Sequence, residues 1–379
     1  MKIAFLIFPF DLQTGGAEKQ MQIASKLFQN LDHEINFIYK WDGNFITRQA
    51  GTTPQRIMNS SRGFFSKFWP LTLFKEIKKG KYDLVISRTG MVVPFFSNLL
   101  SNVLGYKTVY WCSSNLELIQ PKRIPRSLLL YRYRTNNPII KYSFWKLFGL
   151  VIKMSSMVIF QTTEQKNIGF RNFSINSHMV IPNSISAEEF NYQRRDYSKI
   201  KEKRIIWIGR FSIVKNPQKF AEIAKLNSDL DVIFTMIGSG EQYNNLIKFK
   251  KLNNLERLEI LNEEDRENVI KLLETSICSI NTSYIEGFPN TILESWLYNV
   301  FVISMRADID NKLESGDFGL LIKHNHLIRN TIQKILHDME NTDYRSKLEV
   351  ISQKILDEYS IIKYGTNLTK MLNQLSSIA

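Results

Sequence analysis

Cysteine is nearly absent from this 379-residue chain: Cys112 and Cys278 stand far apart in apolar, strand-like contexts. That excludes a disulfide framework and gives no Cys/His metal spacing, and it fits a reducing compartment. Long apolar runs are missing too. The best candidate, Leu147 to Ile152, is bounded by Lys146 and Lys153 and falls well short of the ~18 residues a span requires. No signal peptide is expected, since Met1-Lys2 leads straight into Ile3 to Phe8 and then a polar loop. Low-complexity tracts are absent, and 44% of residues are hydrophobic, so the chain should be globular throughout. A soluble or peripheral protein is expected, cytoplasmic and on the inner face of the plasma membrane if it meets a membrane at all.

Acidic residues are scarce in one half only. Residues 1–185 carry 24 Lys+Arg against 9 Asp+Glu, a net +15, while the remainder carries 26 against 27. Almost the whole formal charge of +14 therefore sits in the first half, as expected if one domain faces an anionic partner.

Strand-like apolar runs alternate with helical patterns in two series: Lys2–Phe8, Glu34–Tyr39, Asp83–Ser87, Lys107–Trp111, Met157–Gln161 and His178–Ile181, then Arg204–Gly209, Asp231–Gly238, Arg257–Leu261, Ile277–Ile280, Val300–Ser304 and Gly319–Ile322. Short apolar strands between amphipathic helices read as parallel sheets covered on both faces, so the fold class is α/β with two Rossmann-like domains. The boundaries read as 1–185, a linker over 186–203, a second domain over 204–355 and a C-terminal helix over 356–379 that packs back on the first domain. Ligands of open α/β sheets bind at the carboxyl ends of the strands, which places the site where two such domains face each other.

Two glutamates eight positions apart, Glu286 and Glu294, stand in the run from Tyr284 to Glu294. Gly287 and Pro289 make a loop there, and a helical pattern starts near Thr291. A loop carboxylate, free backbone N–H groups and a helix N-terminus can together hold a polyhydroxylated, phosphorylated ligand. Glu294 has a ligand-free alternative, a capping box with Thr291.

After the first strand, Gly15-Gly16 permits close backbone approach to an anion or makes an ordinary turn. The second domain opens with Gly209-Arg210 and Lys215-Asn216-Pro217. Asn216 reads as an N-cap, so the two cations lie near the positive end of a helix dipole, a conflict that a bound diphosphate relieves. Downstream, Gly238-Ser239-Gly240-Glu241 reads as a strand end near a base or phosphate, or as a plain turn.

These motifs, in this order and over nearly the whole length, resemble the GT-B glycosyltransferases of retaining family 4. The resemblance rests on Gly15-Gly16-Ala17-Glu18, Ile181-Pro182-Asn183, Gly209-Arg210 with Lys215, Gly238-Ser239-Gly240-Glu241 and Glu286-Gly287-Phe288-Pro289-Asn290 ending in Glu294. It implies two Rossmann-like domains facing across an interdomain cleft. It also implies transfer from a nucleotide-sugar substrate, with UDP favoured on family frequency, without a metal or other cofactor.

Arg210 and Lys215 would then neutralise the leaving diphosphate and Glu286 would stand by the transferred sugar. Glu294 would accept from the ribose hydroxyls. Gly209, Gly238, Gly287 and the amides of Phe288, Asn290 and Thr291 would line the donor, with Gly15 and Gly16 completing the phosphate site. No acidic cluster of the Asp-x-Asp kind is expected where a catalytic metal would sit. Many relatives carry a histidine where this chain has Trp111-Cys112-Ser113-Ser114-Asn115, so that role is absent or reassigned, with Ser113, Ser114 and Asn115 as candidates.

Pro121 to Lys153 carries eight basic residues, Lys122, Arg123, Arg126, Arg132, Arg134, Lys141, Lys146 and Lys153, and no acid. They interleave with aromatics such as Tyr131, Tyr142, Trp145 and Phe148, and an upstream run from Phe64 to Trp69 is similar. The pattern fits contact with an anionic membrane surface and a lipid-linked glycan acceptor, as in bacterial cell-surface polysaccharide assembly (O-antigen, capsule or exopolysaccharide), or else a solvated basic helix with apolar core residues. Competing functions are a GT-B enzyme of another class, such as a nucleotide-sugar 2-epimerase, and a basic nucleic-acid-binding protein. No recognition helix, RNA-binding signature or zinc-finger spacing supports the latter, so no nucleic-acid partner is expected.

Overall fold

The computed structural model describes residues 1–7, 16–41, 44–49, 69–88, 90–133, 135, 137–185, 195–197, 200, 202–262 and 264–377. Gly15, Arg134, Phe64 to Phe68 and most of 186–203 lie outside them. Two compact units form. One comprises Met1–Ile124, Thr135–Asn183 and Ile362–Ala379; the other comprises Pro125–Arg134 and Ser184–Ile361.

The first unit holds β1 (Lys2–Ile7), β2 (Glu34–Trp41), β3 (Asn44–Gln49), β4 (Leu84–Arg88), β5 (Lys107–Trp111), β6 (Met157–Phe160) and β7 (His178–Val180). Their order is β3-β2-β1-β4-β5-β6-β7. All neighbours are parallel except β2 and β3, where Tyr39 faces Ile46 in an antiparallel pair. The sequence reading lacks β3. Asp42-Gly43 between the two strands is the available signal, a favoured hairpin pair. The second unit holds β8 (Arg204–Ile208), β9 (Ile233–Ile237), β10 (Leu258–Leu261), β11 (Ser276–Asn281), β12 (Phe301–Ser304) and β13 (Leu320–Leu321), all parallel in the order β10-β9-β8-β11-β12-β13.

Both sheets reverse their winding direction once, the first between β1 and β4 and the second between β8 and β11. At such a switch point the loops leaving the two strands run in opposite directions and open a crevice at the carboxyl edge. Central strands are apolar without alternation because helices cover both faces: Ile3, Ala4 and Phe5 in β1 and Ile205 and Ile206 in β8 are fully buried.

Two helices close the described chain, Thr342–Glu358 and Ile361–Ser377. The first belongs to the second unit. The second buries Tyr364, Leu368, Met371, Leu372 and Leu375 with Phe28, Trp111 and Ile181 in the core of the first unit. Within the second unit, the segment entering it and the segment leaving it lie side by side, with the Ile185 N–H donating to Tyr359 O at 2.8 Å.

Arg195 fastens the chain entering the second unit. Its guanidinium, 7% exposed, donates to Tyr298 O at 3.0 Å and Asn299 O at 2.8 Å, and also to Ser276 O. Burial pulls its pKa down to about 10. Arg195→Ala would remove the guanidinium donor from three carbonyls, so unfolding free energy should fall by about 3 kcal/mol, each lost hydrogen bond costing on the order of 1 kcal/mol. Urea denaturation measures it, and a fall under about 0.5 kcal/mol would mean that water replaces the guanidinium.

Candidate active site

The loops leaving β8 and β11, at the switch point of the second sheet, carry Lys215 and Glu286. The indole N–H of Trp207 donates to Thr282 Oγ1 at 2.9 Å. That hydroxyl in turn donates to Asn216 O at 2.8 Å, with Lys215 O at 3.1 Å, and the Tyr284 N–H donates to Val214 O at 2.8 Å. These bonds clamp the two loops together and set Lys215 Nζ 2.6 Å from Glu286 Oε1, the lysine side chain 32% and the carboxylate 12% exposed. The dipole conflict expected for Lys215 is therefore already relieved by Glu286. Arg210 is exposed, and no carboxylate pairs with it among the described residues, leaving its charge available to an anion.

The helix Pro217–Leu226 does start after Asn216, but Asn216 is left-handed, with φ 51° and ψ 54°, and its side chain makes no capping bond. The capping-box alternative for Glu294 fails. The helix there is Asn290–Leu297 with Pro289 at the N-cap position and no side-chain cap, so Thr291 is already helical. Glu294 instead lies 3.2 Å from Arg266 NH2, the carboxylate 12% exposed and the guanidinium 40%. Thr291 O accepts from Ser295 Oγ at 2.7 Å. The amides of Asn290 and Thr291 open the first turn, where no intrahelical acceptor precedes them. Phe288 is buried and packs edge-on against Tyr359, ring centroids 5.6 Å apart, so only its backbone can face a ligand.

Gly209 and Gly238 belong to the same edge. The Gly209 N–H donates to Ile237 O at 3.0 Å and the Phe211 N–H to Ser239 O at 2.7 Å. Gly238 has φ +150°, and a Cβ on it would sit 1.8 Å from Gly209 O. Close approach of the neighbouring loop accounts for that glycine. In the first unit, Gly16 is the exposed first residue of the helix Gly16–Asn30.

Residues 190–351 match the family described as Glycosyl transferases group 1. A curated relative, the GalNAc-alpha-(1->4)-GalNAc-alpha-(1->3)-diNAcBac-PP-undecaprenol alpha-1,4-N-acetyl-D-galactosaminyltransferase of Campylobacter jejuni, is 22% identical over 316 residues, 80% of this chain and 79% of the relative. The chain has the GT-B fold, and its second unit carries the match to group 1 glycosyl transferases. Its fold is that of sucrose-phosphate synthase from Thermosynechococcus elongatus, with a TM-score of 0.77, 13% identity and all of both chains covered. It is likewise that of the Anabaena protein HepE in complex with UDP and glucose, with a TM-score of 0.67, 15% identity and 99% and 100% of the two chains covered.

The chain carries two Asp-x-Asp pairs that the sequence reading passes over, and both have structural duties. Asp229 makes a two-point bond to Arg329 at 2.8 and 2.6 Å, and Asp231 meets Arg257 at 2.6 Å. Asp308 accepts from the N–H groups of Ile309, Leu313 and Glu314 at 2.6 to 2.9 Å; Asp310 follows in the same turn. Among the described residues no three His, Cys, Asp or Glu side chains are grouped to hold a metal ion. Sequence reasoning also missed Arg306, after β12, whose guanidinium lies 4.9 Å from the ring centre of Tyr284. A cation two loops away from Glu286 in sequence has no local signal.

Proposed function

We propose that this chain is a retaining, metal-independent glycosyltransferase of family 4 that moves a hexose or N-acetylhexosamine from a UDP-sugar to a lipid-linked glycan in bacterial cell-surface polysaccharide assembly. The observation that carries the donor reading is the Lys215–Glu286 pair at the switch point, with the unpaired Arg210 beside it in the same loop. Arg210 and Lys215 offset the charge that grows on the departing diphosphate, and Glu286 orients the sugar whose bond breaks. Such preorganised charge accounts for large rate effects without a protein nucleophile. Glu294 accepts from the ribose hydroxyls, taking a ligand hydroxyl in place of the exposed Arg266. Gly15, Gly16, Gly209, Gly238, Gly287 and the amides of Phe288, Asn290 and Thr291 complete the donor shell.

UDP is supported by HepE, solved with UDP and glucose, and a lipid-linked acceptor by the name of the Campylobacter relative, a diphospho-undecaprenol glycan. The test is donor hydrolysis against UDP-, GDP- and dTDP-sugars with EDTA present, followed by the anomeric configuration of the product. Turnover of a UDP-sugar with retention is expected; inversion, or strict dependence on a divalent ion, would overturn the reading. Glu294→Gln keeps shape but loses the anionic acceptor, so the donor KM should rise about tenfold while kcat changes little, by the ~1.5 kcal/mol of one charged hydrogen bond. Arg266→Ala should leave the donor KM near wild type. An unchanged KM in Glu294→Gln removes the ribose role.

The peripheral location is part of the same proposal. No helix among the described residues is long and apolar enough to cross a membrane. The basic stretch divides on inspection of burial: Trp145, Phe148, Leu128 and Lys141 are in the interior, whereas Ile139, Tyr142 and Leu150 are 74%, 53% and 47% exposed. Lys122, Arg123, Lys146 and Lys153 are exposed among them. Replacing those four by glutamate should lower partition onto anionic vesicles by at least about 100-fold at low salt, at ~1 kcal/mol per cation, and less at high salt, where the attraction is already screened. Equal sedimentation of both proteins would leave the basic face without a membrane role.

A further inference from the structure

Arg88 ends β4, the strand on one side of the switch point in the first sheet. It is 2% exposed, and its partners are neutral. Nε donates to Ser113 Oγ at 3.0 Å. With the Gln161 amide in the orientation that satisfies both its ends, Nη2 donates to Gln161 O at 2.9 Å. Nη1 is buried and has no partner among the described residues. The guanidinium carbon lies 5.1 Å from the ring centre of Trp111, which offsets part of the desolvation. Burial holds the pKa of Arg88 below its ordinary value, against the weaker fields of Tyr364, Glu18 and Glu117. A buried charge with neutral partners and a bare N–H group is a costly way to staple three strand ends, since an apolar side chain of similar size would do so for less.

Ser113 explains what the charge is placed to do. It is the second residue after β5, half-buried, and its backbone N–H is 3.3 Å from Glu117 Oε2. Because its Oγ receives the Arg88 N–H, its own proton must point elsewhere, and no acceptor takes it among the described residues. The hydroxyl is thus a donor turned away from Arg88 and polarised by the cation one hydrogen bond behind it, at the edge of an α/β sheet where ligands enter. The chemical complement of a donor backed by a buried guanidinium whose direct hydrogen-bond partners are all neutral is an anionic oxygen.

We infer that Ser113 donates to a phosphoryl oxygen of a substrate diphosphate and that Arg88 is the positioning residue that aims and polarises it. This rests on the reading of the substrates as diphosphate-linked sugars. The diphosphate can come from the nucleotide donor or from a lipid-linked acceptor, and the two are separable.

Calorimetric titration with inorganic pyrophosphate should show Ser113→Ala binding about tenfold or more weakly than wild type, the share of one hydrogen bond to a charged group. The melting temperature should be unchanged and Ser113→Thr should retain binding. Arg88→Met, or Arg88→Lys if the first does not fold, should weaken pyrophosphate binding alone but add little on top of Ser113→Ala, because it acts through that hydroxyl. A structural staple would instead lower the melting temperature in both backgrounds without that coupling. Parallel titrations with UDP and with geranyl diphosphate tell which substrate's diphosphate is held. Equal binding of all three probes by wild type and Ser113→Ala overturns the inference. Failure of every UDP-sugar in the donor screen, with the Ser113→Ala loss intact, would sink the UDP reading and leave this one standing.

Discussion

Glu286→Gln and Lys215→Met should each lower kcat for sugar transfer by about 10²- to 10³-fold, the range seen when one preorganised charged or polar group is removed from a transition state. The two side chains meet at 2.6 Å, on loops tied together by Thr282 and Tyr284. Each change therefore disturbs the partner as well as the ligand. The lysine loses the acceptor that holds it at the helix N-terminus, and the carboxylate loses the cation that fixes its position.

The double variant should consequently fall little further than either single variant, a non-additivity expected of groups that act as a unit. Stability should change by less than about 1 kcal/mol, because the lysine is partly exposed and its pair is partly screened. Arg210→Ala, which breaks no internal pair, should lower kcat without this coupling. Single-turnover rates with saturating donor, alongside urea midpoints, separate the two effects. If both single variants turn over near the wild-type rate, the switch-point pair is a surface ion pair and the donor site lies elsewhere.

The sheets were legible because their strands are apolar on both faces, and only a buried parallel strand tolerates runs such as Ile3 to Ile7 or Ile205 to Ile208. β3 breaks that rule. It is an antiparallel edge strand, and only Asp42-Gly43 announces it. The helix after Pro289 was legible in place but not in detail, since Thr291-x-x-Glu294 has the letters of a capping box while the helix starts two residues too early to use it.

Pairs that make the site join positions distant in sequence. Lys215 and Glu286 are 71 residues apart, and their meeting follows from β8 and β11 being neighbours, a fact of strand order that no local pattern contains. Burial was the other missing quantity. Arg88 follows the strand-like run Asp83–Ser87 without any local mark and Lys141 reads as one more cation in a basic run, yet both are interior. The two cysteines are free and buried, burial raising both thiols.

Gly238→Ala should be among the most damaging single-methyl changes in the chain, lowering unfolding free energy by at least about 3 kcal/mol and raising the donor KM at the same time. Its φ of +150° belongs to a region that is essentially reserved to glycine and costs other residues on the order of 1–3 kcal/mol. The added carbon would also lie 1.8 Å from Gly209 O, a backbone atom that no rotamer change can move aside. Relief requires the loop after β8 to swing off the loop after β9, breaking the bonds from Gly209 N to Ile237 O and from Phe211 N to Ser239 O.

Arg210 rides on that loop, so the same displacement carries the unpaired cation away from the donor phosphates. Gly105→Ala supplies the control. Gly105 is left-handed, with φ +76°, but a Cβ there meets nothing within 4 Å, so that variant carries only the ~1–2 kcal/mol of strain and should leave the donor KM alone. Urea unfolding and donor saturation curves on both variants decide the matter. Equal losses of stability with an unchanged KM would mean that the contact between the two loops is dispensable and that backbone strain alone explains the glycine.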